Sequence, residues 1–286
     1  MSNKFLAQIG MVITTMIWGI TFVMVKEALN DAKPFMFATL RFGLSFILAI
    51  IFVNRGMSKI NKKSMVAGLI CGFLLYVGYS FQNFGLMQTT PSKSAFVTSV
   101  SVIMVPILLV LFRIKAVHNR IWIATFLAIV GLYILLDPAG KGLNIGDILT
   151  FGCALSFAAH VIFQDRYLSK GVDVGHLLLI QLMFITLFSG ISVVSYEGFE
   201  MIVSQRLIIA ILVTGILATF IALLIMVWAQ TILGPNQTAI LLSLEPVFAA
   251  LFSTIFASEI LGINGWVGGV IIVFAVLSLE IFSPKK

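Results

Sequence analysis

The sequence predicts an all-α membrane protein with ten transmembrane helices arranged as two inverted five-helix repeats. Three observations carry that expectation. Of 286 residues, 60% are hydrophobic and 10% charged, and the mean hydropathy is +1.12, so the polar surface is too small to cover a soluble globule of this size. The apolar runs are continuous rather than alternating, which in a lipid solvent selects helices over a closed barrel, because a helix satisfies its own backbone polar groups. The chain also resembles itself across its middle.

Apolar runs of about 17–25 residues bounded by charge, glycine or proline define the spans. They fall at residues 6–25, 35–53, 65–84, 93–112, 120–136, 147–165, 174–195, 207–229, 237–257 and 263–282. The first run is too long for the apolar core of a signal peptide, and no small-residue cleavage site follows it, so it is expected to remain as the first span. The linkers are short, which predicts one membrane domain made of a first repeat at 1–140 and a second at 141–286. With the N-terminus inside, the cytoplasmic segments hold 12 basic residues, Lys4, Arg55, Lys59, Lys62, Lys63, Arg113, Lys115, Arg120, Arg166, Lys170, Lys285 and Lys286. The opposite side holds 5, Lys26, Lys33, Lys93, Lys141 and Arg206, while Arg41 lies within a span. That bias predicts both termini in the cytoplasm and reads the net charge of +7 as orientation rather than as affinity for nucleic acid. Cys71 and Cys153 fall inside apolar spans and are expected as small core residues.

A shift of 144 residues lays Pro91 on Pro235, Ala95 on Ala239, Ser99 on Ser243 and Trp122 on Trp266. A shift of 140 lays Arg41 on Gln181. Because five is odd, two five-span halves insert with opposite orientations. Such a pseudo-two-fold in the membrane plane is the device by which secondary transporters alternate access to a site near the midplane.

The Trp18-Gly19 pair followed by Lys26, the Leu40-Arg41-Phe42 run, Gly146-Asp147 at the opening of the second half, and Leu244-Glu245-Pro246-Val247 followed by Glu259 resemble the EamA family of the drug/metabolite transporter superfamily. The resemblance covers essentially the whole chain. It implies a central cavity lined by spans one, three, four, six, eight and nine, and facilitated or ion-coupled transport, often export of amino acids or other metabolites. Two departures stand out. Pro106 lies about one helical turn from the place that Pro246 marks under the 144 shift, and the first half carries Arg113 and Lys115 where the second carries Glu259.

Glu245 is the sharpest candidate, since about nine residues at 1.5 Å each place it near the middle of its span, where an ionisable group is costly unless it is paired or faces water. Two readings stand: it binds a cationic substrate group or a proton, or it holds a packing network together. Pro246 removes a backbone donor beside it and kinks or shapes the helix. His160 is either a proton-coupling group or a satisfied packing residue. Arg41 is expected to be structural, because the resemblance puts its helix off the cavity. Trp18, Tyr79 and Trp228, on spans expected to face the cavity, are the candidate aromatic walls, and Thr21, Asn83, Thr98 and Ser243 the candidate polar contacts. Gly131 and the Gly268-Gly269 pair are expected to let helices approach closely, at the back of the bundle or at a dimer contact.

No HExxH, GxSxG or Walker A motif occurs, which argues against a zinc protease, a hydrolase elbow and direct ATP coupling. No cofactor and no metal site are expected. The expected partners are a small-molecule substrate and the lipid bilayer, with protons as the candidate coupling ion and a second copy of the chain as the candidate dimer partner. Amino-acid or related metabolite export across a bacterial inner membrane leads. Uptake of a nucleoside-like or cofactor-like solute, cationic drug efflux, and a membrane scaffold or sensor are the alternatives.

Overall fold

The computed structural model describes residues 3–53, 60–114, 117–136, 144–258, 260 and 262–281. Arg55, Lys59, Lys115, Lys141, Glu259, Lys285 and Lys286, used above for orientation and resemblance, lie outside them.

The described residues form an all-helical bundle: α1 Asn3–Ala28, α2 Pro34–Val53, α3 Lys62–Gln88, α4 Pro91–Ser99, α5 Ser101–Leu111, α6 Asn119–Leu136, α7 Ile145–Leu168, α8 Val174–Ser192, α9 Gln205–Leu212, α10 Ala222–Leu242, α11 Glu245–Phe256 and α12 Ile263–Ile281. Short π-helical turns extend α8 through Val193–Glu197 and join α9 to α10 through Val213–Ile221. Among the described residues, 7 helices are long and apolar enough to cross a membrane, and α6 and α12 carry shorter apolar stretches.

The helix ends follow from capping chemistry. Asn61, Thr90, Asp173 and Ser204 each accept a hydrogen bond from a backbone N–H of the first turn, and Asn144 with Asp147 forms a reciprocal capping box. The carboxylate of Glu197 accepts from Phe35 N at 3.0 Å and Met36 N at 2.9 Å, so a negative charge from the end of α8 sits on the N-terminus of α2, where the helix dipole favours it.

Interior breaks have equally local causes. Between α4 and α5 the chain kinks at Val100, one residue after Ser99 donates back to Ala95 O at 3.0 Å. Between α10 and α11 it kinks at Ser243–Leu244, where Ser243 donates to Ile240 O at 2.6 Å. Serine back-bonding of this kind bends helices. A third break lies inside α10, where Gly234 takes φ 72° and ψ 176°, a left-handed-side conformation that a side chain would strain, and Pro235 restarts the helix.

α3 packs along α7 and α8, α2 along α8 and the Val213–Ile221 turn, α1 along α10 and α11, α4 and α5 beside α7, and α6 along α12. At Gly131 of α6 a Cβ would lie 2.8 Å from Gly268 O, so the glycines expected at the back of the bundle join α6 to α12 within one chain. Cys71 and Cys153 are buried and unbridged.

One end of the bundle, where α1 meets α2, is tied by charges. Arg206 grips Asp31 at 2.7 and 2.8 Å and reaches Glu27 at 3.2 Å, and Ser204 donates to Asp31 at 2.6 Å. The Arg206 and Ser204 hydrogen bonds hold the Asp31 carboxyl down at about 2. Nearby, Lys93 pairs with the buried Asp147 at 2.7 Å, Thr89 donates to the same carboxylate at 2.8 Å, and Lys26 donates to Leu86 O, Met87 O and Thr89 O at the end of α3. Toward the other end Gln164 Nε2 donates to Gln230 Oε1 and Gln230 Nε2 to Val161 O, both at 2.5 Å, and Lys63 donates to Lys170 O.

Candidate functional site

Between those two ends the helices enclose a cavity that offers about 50 Å³ to the centre of a water-sized molecule. At roughly 10–15 Å³ per water by that measure, it holds a handful of waters or one small solute. Its walls come from α1, α2, α3, α4, α5, α7, α10 and α11.

The α1 wall is aromatic. Trp18 and Phe22 lie one helical turn apart, and the Trp18 indole N–H donates to Ala218 O at 2.6 Å, which locks the ring against the π-helical turn. Thr21 also lines the wall, but its hydroxyl donates back to Trp18 O at 2.7 Å. That turn holds α2 as well: Arg41 Nε donates to Thr219 Oγ1 at 2.7 Å and Ser45 to Gly215 O at 2.7 Å. A π-helical turn widens the helix and leaves carbonyls and side chains off the usual ladder, which suits it to receive three such bonds.

Arg41 is 3% exposed and its guanidinium carbon sits 4.8 Å from the Tyr79 ring centroid and 5.2 Å from that of Phe42. A cation at this distance from two aromatic faces is stabilised without losing its charge. Tyr79 in turn meets Phe42 and Phe157 edge-on, with centroids 4.8 and 5.1 Å away. From α7, His160 lines the cavity and its Nε2 lies 3.1 Å from Gln181 Oε1. Thr98 and Ser101 face the cavity on either side of the Val100 kink. Glu245, the first residue of α11, is 8% exposed and lines the cavity, and its side chain is attracted by Arg41 without an ion-pair contact among the described residues. Among the described residues no group of three or more His, Cys, Asp or Glu side chains stands together as a metal site.

Of the residues singled out in the sequence, Trp18, Thr21, Tyr79, Thr98, His160 and Glu245 come together at this cavity. Four do not line it. Asn83 is buried with Nδ2 directed to Pro34 O at 3.3 Å, Ser243 bonds its own helix, and Pro246 is buried in the first turn of α11. Trp228 corrects the expectation that it faces inward: it is 38% exposed on the outside of α10. Arg41 corrects the opposite expectation, since α2 reaches the cavity through this one side chain. Its signal was present as a lone charge inside an apolar span. Phe157 and Gln82 also line the cavity.

The model of the EamA-like transporter family matches residues 5–137 and 144–280. An uncharacterized transporter of Archaeoglobus fulgidus is 33% identical over 280 residues, covering 98% of this chain and 87% of that protein. An S-adenosylmethionine uptake transporter of Rickettsia felis is 27% identical, covering 92% of this chain and 88% of its own. A probable amino-acid metabolite efflux pump of Escherichia coli is 27% identical over 55% of this chain and 52% of the pump. A solved crystal structure superposes with a TM-score of 0.73 at 15% identity, covering 97% of this chain and 99% of that one, a likeness of fold. The chain belongs to the EamA-like transporter family and is a multi-pass membrane transporter, not an enzyme.

Proposed function

We propose that this chain is a secondary transporter that moves a small metabolite across the bacterial inner membrane by alternating access. In this reading it crosses ten times as two inverted repeats, 1–140 and 141–286, with both termini in the cytoplasm. The observation that carries the proposal is that Arg41 and Glu245, buried ionisable side chains from α2 and α11, line one cavity inside a predominantly apolar bundle. Charges at such depth are costly and mark solute or ion pathways.

Length and packing support the ten crossings. The stretch Gln205–Phe256 has 52 residues, which as helix reaches about 78 Å, more than twice a hydrocarbon core of ~30 Å. Gly234 and Pro235 supply the reversal that divides it. α6 and α12, with 18 and 19 residues, are long enough to add two more. Exchanging the halves also turns one packing pair into another: α1 on α10 answers α7 on α3, and α2 on the π-helical turn answers α8 on α3. The α2–α8 and α6–α12 contacts are their own images.

Export of an amino acid or related metabolite is the leading substrate reading, supported by a cavity that combines two opposite charges with an aromatic wall. Uptake of a nucleoside-like or cofactor-like solute is the second, favoured by the same aromatic wall and by the likeness to the S-adenosylmethionine uptake transporter of Rickettsia felis. Cationic drug efflux follows. Protons are the proposed coupling ion, through Glu245 and His160. Counterflow into proteoliposomes preloaded with amino acids, nucleosides and organic cations tests the reading. Accumulation of one class over empty liposomes supports transport, whereas none with any class favours a scaffold or sensor.

A further inference from the structure

We propose that Arg113 and Arg166 form a binding site for the headgroup phosphate of an anionic phospholipid, at the bundle end where α5 and α7 finish. With Phe112, Ile114, Asp165 and Ser169 the two arginines line a surface depression of about 370 Å³, which shares no residue with the central cavity.

The backbone goes out of its way to put an arginine there. α5 closes with Arg113 N–H donating to Val110 O at 3.0 Å and Ile114 N–H to Leu109 O at 2.9 Å, a pairing that puts the residue after the helix cap in the left-handed region. α7 closes in the same way, with Gly171 N–H donating to Leu168 O at 2.9 Å and Val172 N–H to Tyr167 O at 3.1 Å, and there a glycine takes the left-handed position at φ 80°. In α5 that position is held by Arg113 at φ 52°, where a side chain is strained. A cation near a helix end also suits the helix dipole, but the last turn offers that without strain. What the strained position adds is an arginine in the depression shared with α7.

Both arginines are exposed, and neither guanidinium has a hydrogen-bond or ion-pair partner among the described residues. The acid that lines the depression, Asp165, is buried and already engaged. Two forks of N–H donors on one concave surface match the oxygens of a phosphate. The surroundings favour a lipid over a soluble anion. Ile107, Val110 and Leu111 form one exposed apolar face of α5, and the exposed Phe112 carries that face to the rim of the depression. A phosphate held by the arginines therefore sits at headgroup depth, with acyl chains along α5, as in basic pockets between helix ends that take anionic lipids.

The test is native mass spectrometry of the detergent-purified protein, titrated with phosphatidylglycerol and with phosphatidylcholine of the same acyl chains. Phosphatidylglycerol should be retained at about 10-fold lower concentration than phosphatidylcholine. Arg113→Gly and Arg166→Gln should each weaken phosphatidylglycerol by about 5-fold and leave phosphatidylcholine unchanged. Lys33→Gln, an equal loss of charge at the other end of the bundle, should change neither. Because Arg113→Gly relieves the left-handed side chain, its thermal midpoint in lipid-free detergent should match or exceed that of the unaltered protein, which separates lost lipid from lost folding. Equal retention of the two lipids by the unaltered protein, or phosphatidylglycerol retention that survives both substitutions, overturns the proposal. So does displacement of the lipid by inorganic phosphate at millimolar concentration, which would make the occupant a soluble anion.

Discussion

The two kinked helices that meet at the cavity, one running from Pro91 to Leu111 and the other from Pro235 to Phe256, are the same design carried out differently. Under the 144-residue shift their starts coincide at Pro91 and Pro235, their back-bonded serines at Ser99 and Ser243, and their kinks at Val100 and Leu244. The prolines do not coincide: Pro106 sits inside α5, while Pro246 sits in the first turn of α11. The back-bonded serine is common to both kinks, whereas the position of the proline is not. The first residues past the kinks, Ser101 and Glu245, both face the cavity, but one is neutral and the other acidic. The shift of 140 pairs Arg41 with Gln181 in the same fashion, a charge against a neutral amide that bonds His160. Each half contributes one charge, and in each case the other half keeps the matching position neutral.

Moving the charge is the strongest way to break this comparison. Glu245→Ser should lower counterflow by about 100-fold, and adding Ser101→Glu should recover part of it, because the acid then re-enters the same cavity from the matching kink. A double variant no better than the single would mean that the two positions are not equivalent. Next in size is Asp147→Asn, which removes the acid joining α7 to Lys93 of α4. The expected loss is about 2 kcal/mol, below the ~3–5 kcal/mol of a fully buried pair, since the Lys93 side chain is 22% exposed. Thermal unfolding in detergent measures it.

The prolines sharpen the contrast. Pro106→Ala restores an interior helix bond and should stabilise by about 1 kcal/mol, whereas Pro246→Ala, in a first turn that tolerates proline, should stay within ~0.5 kcal/mol. Equal effects on the thermal midpoint would return the kinks to the prolines. The smallest effect concerns Asp31, whose carboxyl is lowered from 3.8 to about 2. A depressed carboxyl adds stability above its unfolded value and loses it as pH falls through the folded one, so the contribution is full above pH 4 and gone near pH 2. Asp31→Asn should flatten that stretch of the stability profile, and an unchanged profile would remove the Arg206 contact from the account.

Helix positions were legible because lipid demands long apolar runs, and every expected span overlaps a described helix. A bend beside Glu245 is expected from Pro246, and the helix breaks just ahead of it at Ser243–Leu244, where the back-bonded serine reads in the sequence only as a mark of the repeat. Rotation about the helix axis was not legible. In a soluble bundle the polar face points outward, but lipid and core are equally apolar, so Arg41 and Trp228 could not be assigned to inside or outside from their neighbours. The π-helical turn at Val213–Ile221 was also silent, since its residues read as one more apolar run, and it takes Trp18, Arg41 and Ser45 to reveal what it is for.

The distribution of indoles has an optical consequence. Of 4 tryptophans, Trp122, Trp228 and Trp266 are 37%, 38% and 53% exposed toward the surroundings of the bundle, and only Trp18 looks into the cavity. Brominated lipid should therefore extinguish most of the emission and leave a residual signal from the one ring that lines the cavity, a label-free reporter of whatever enters it.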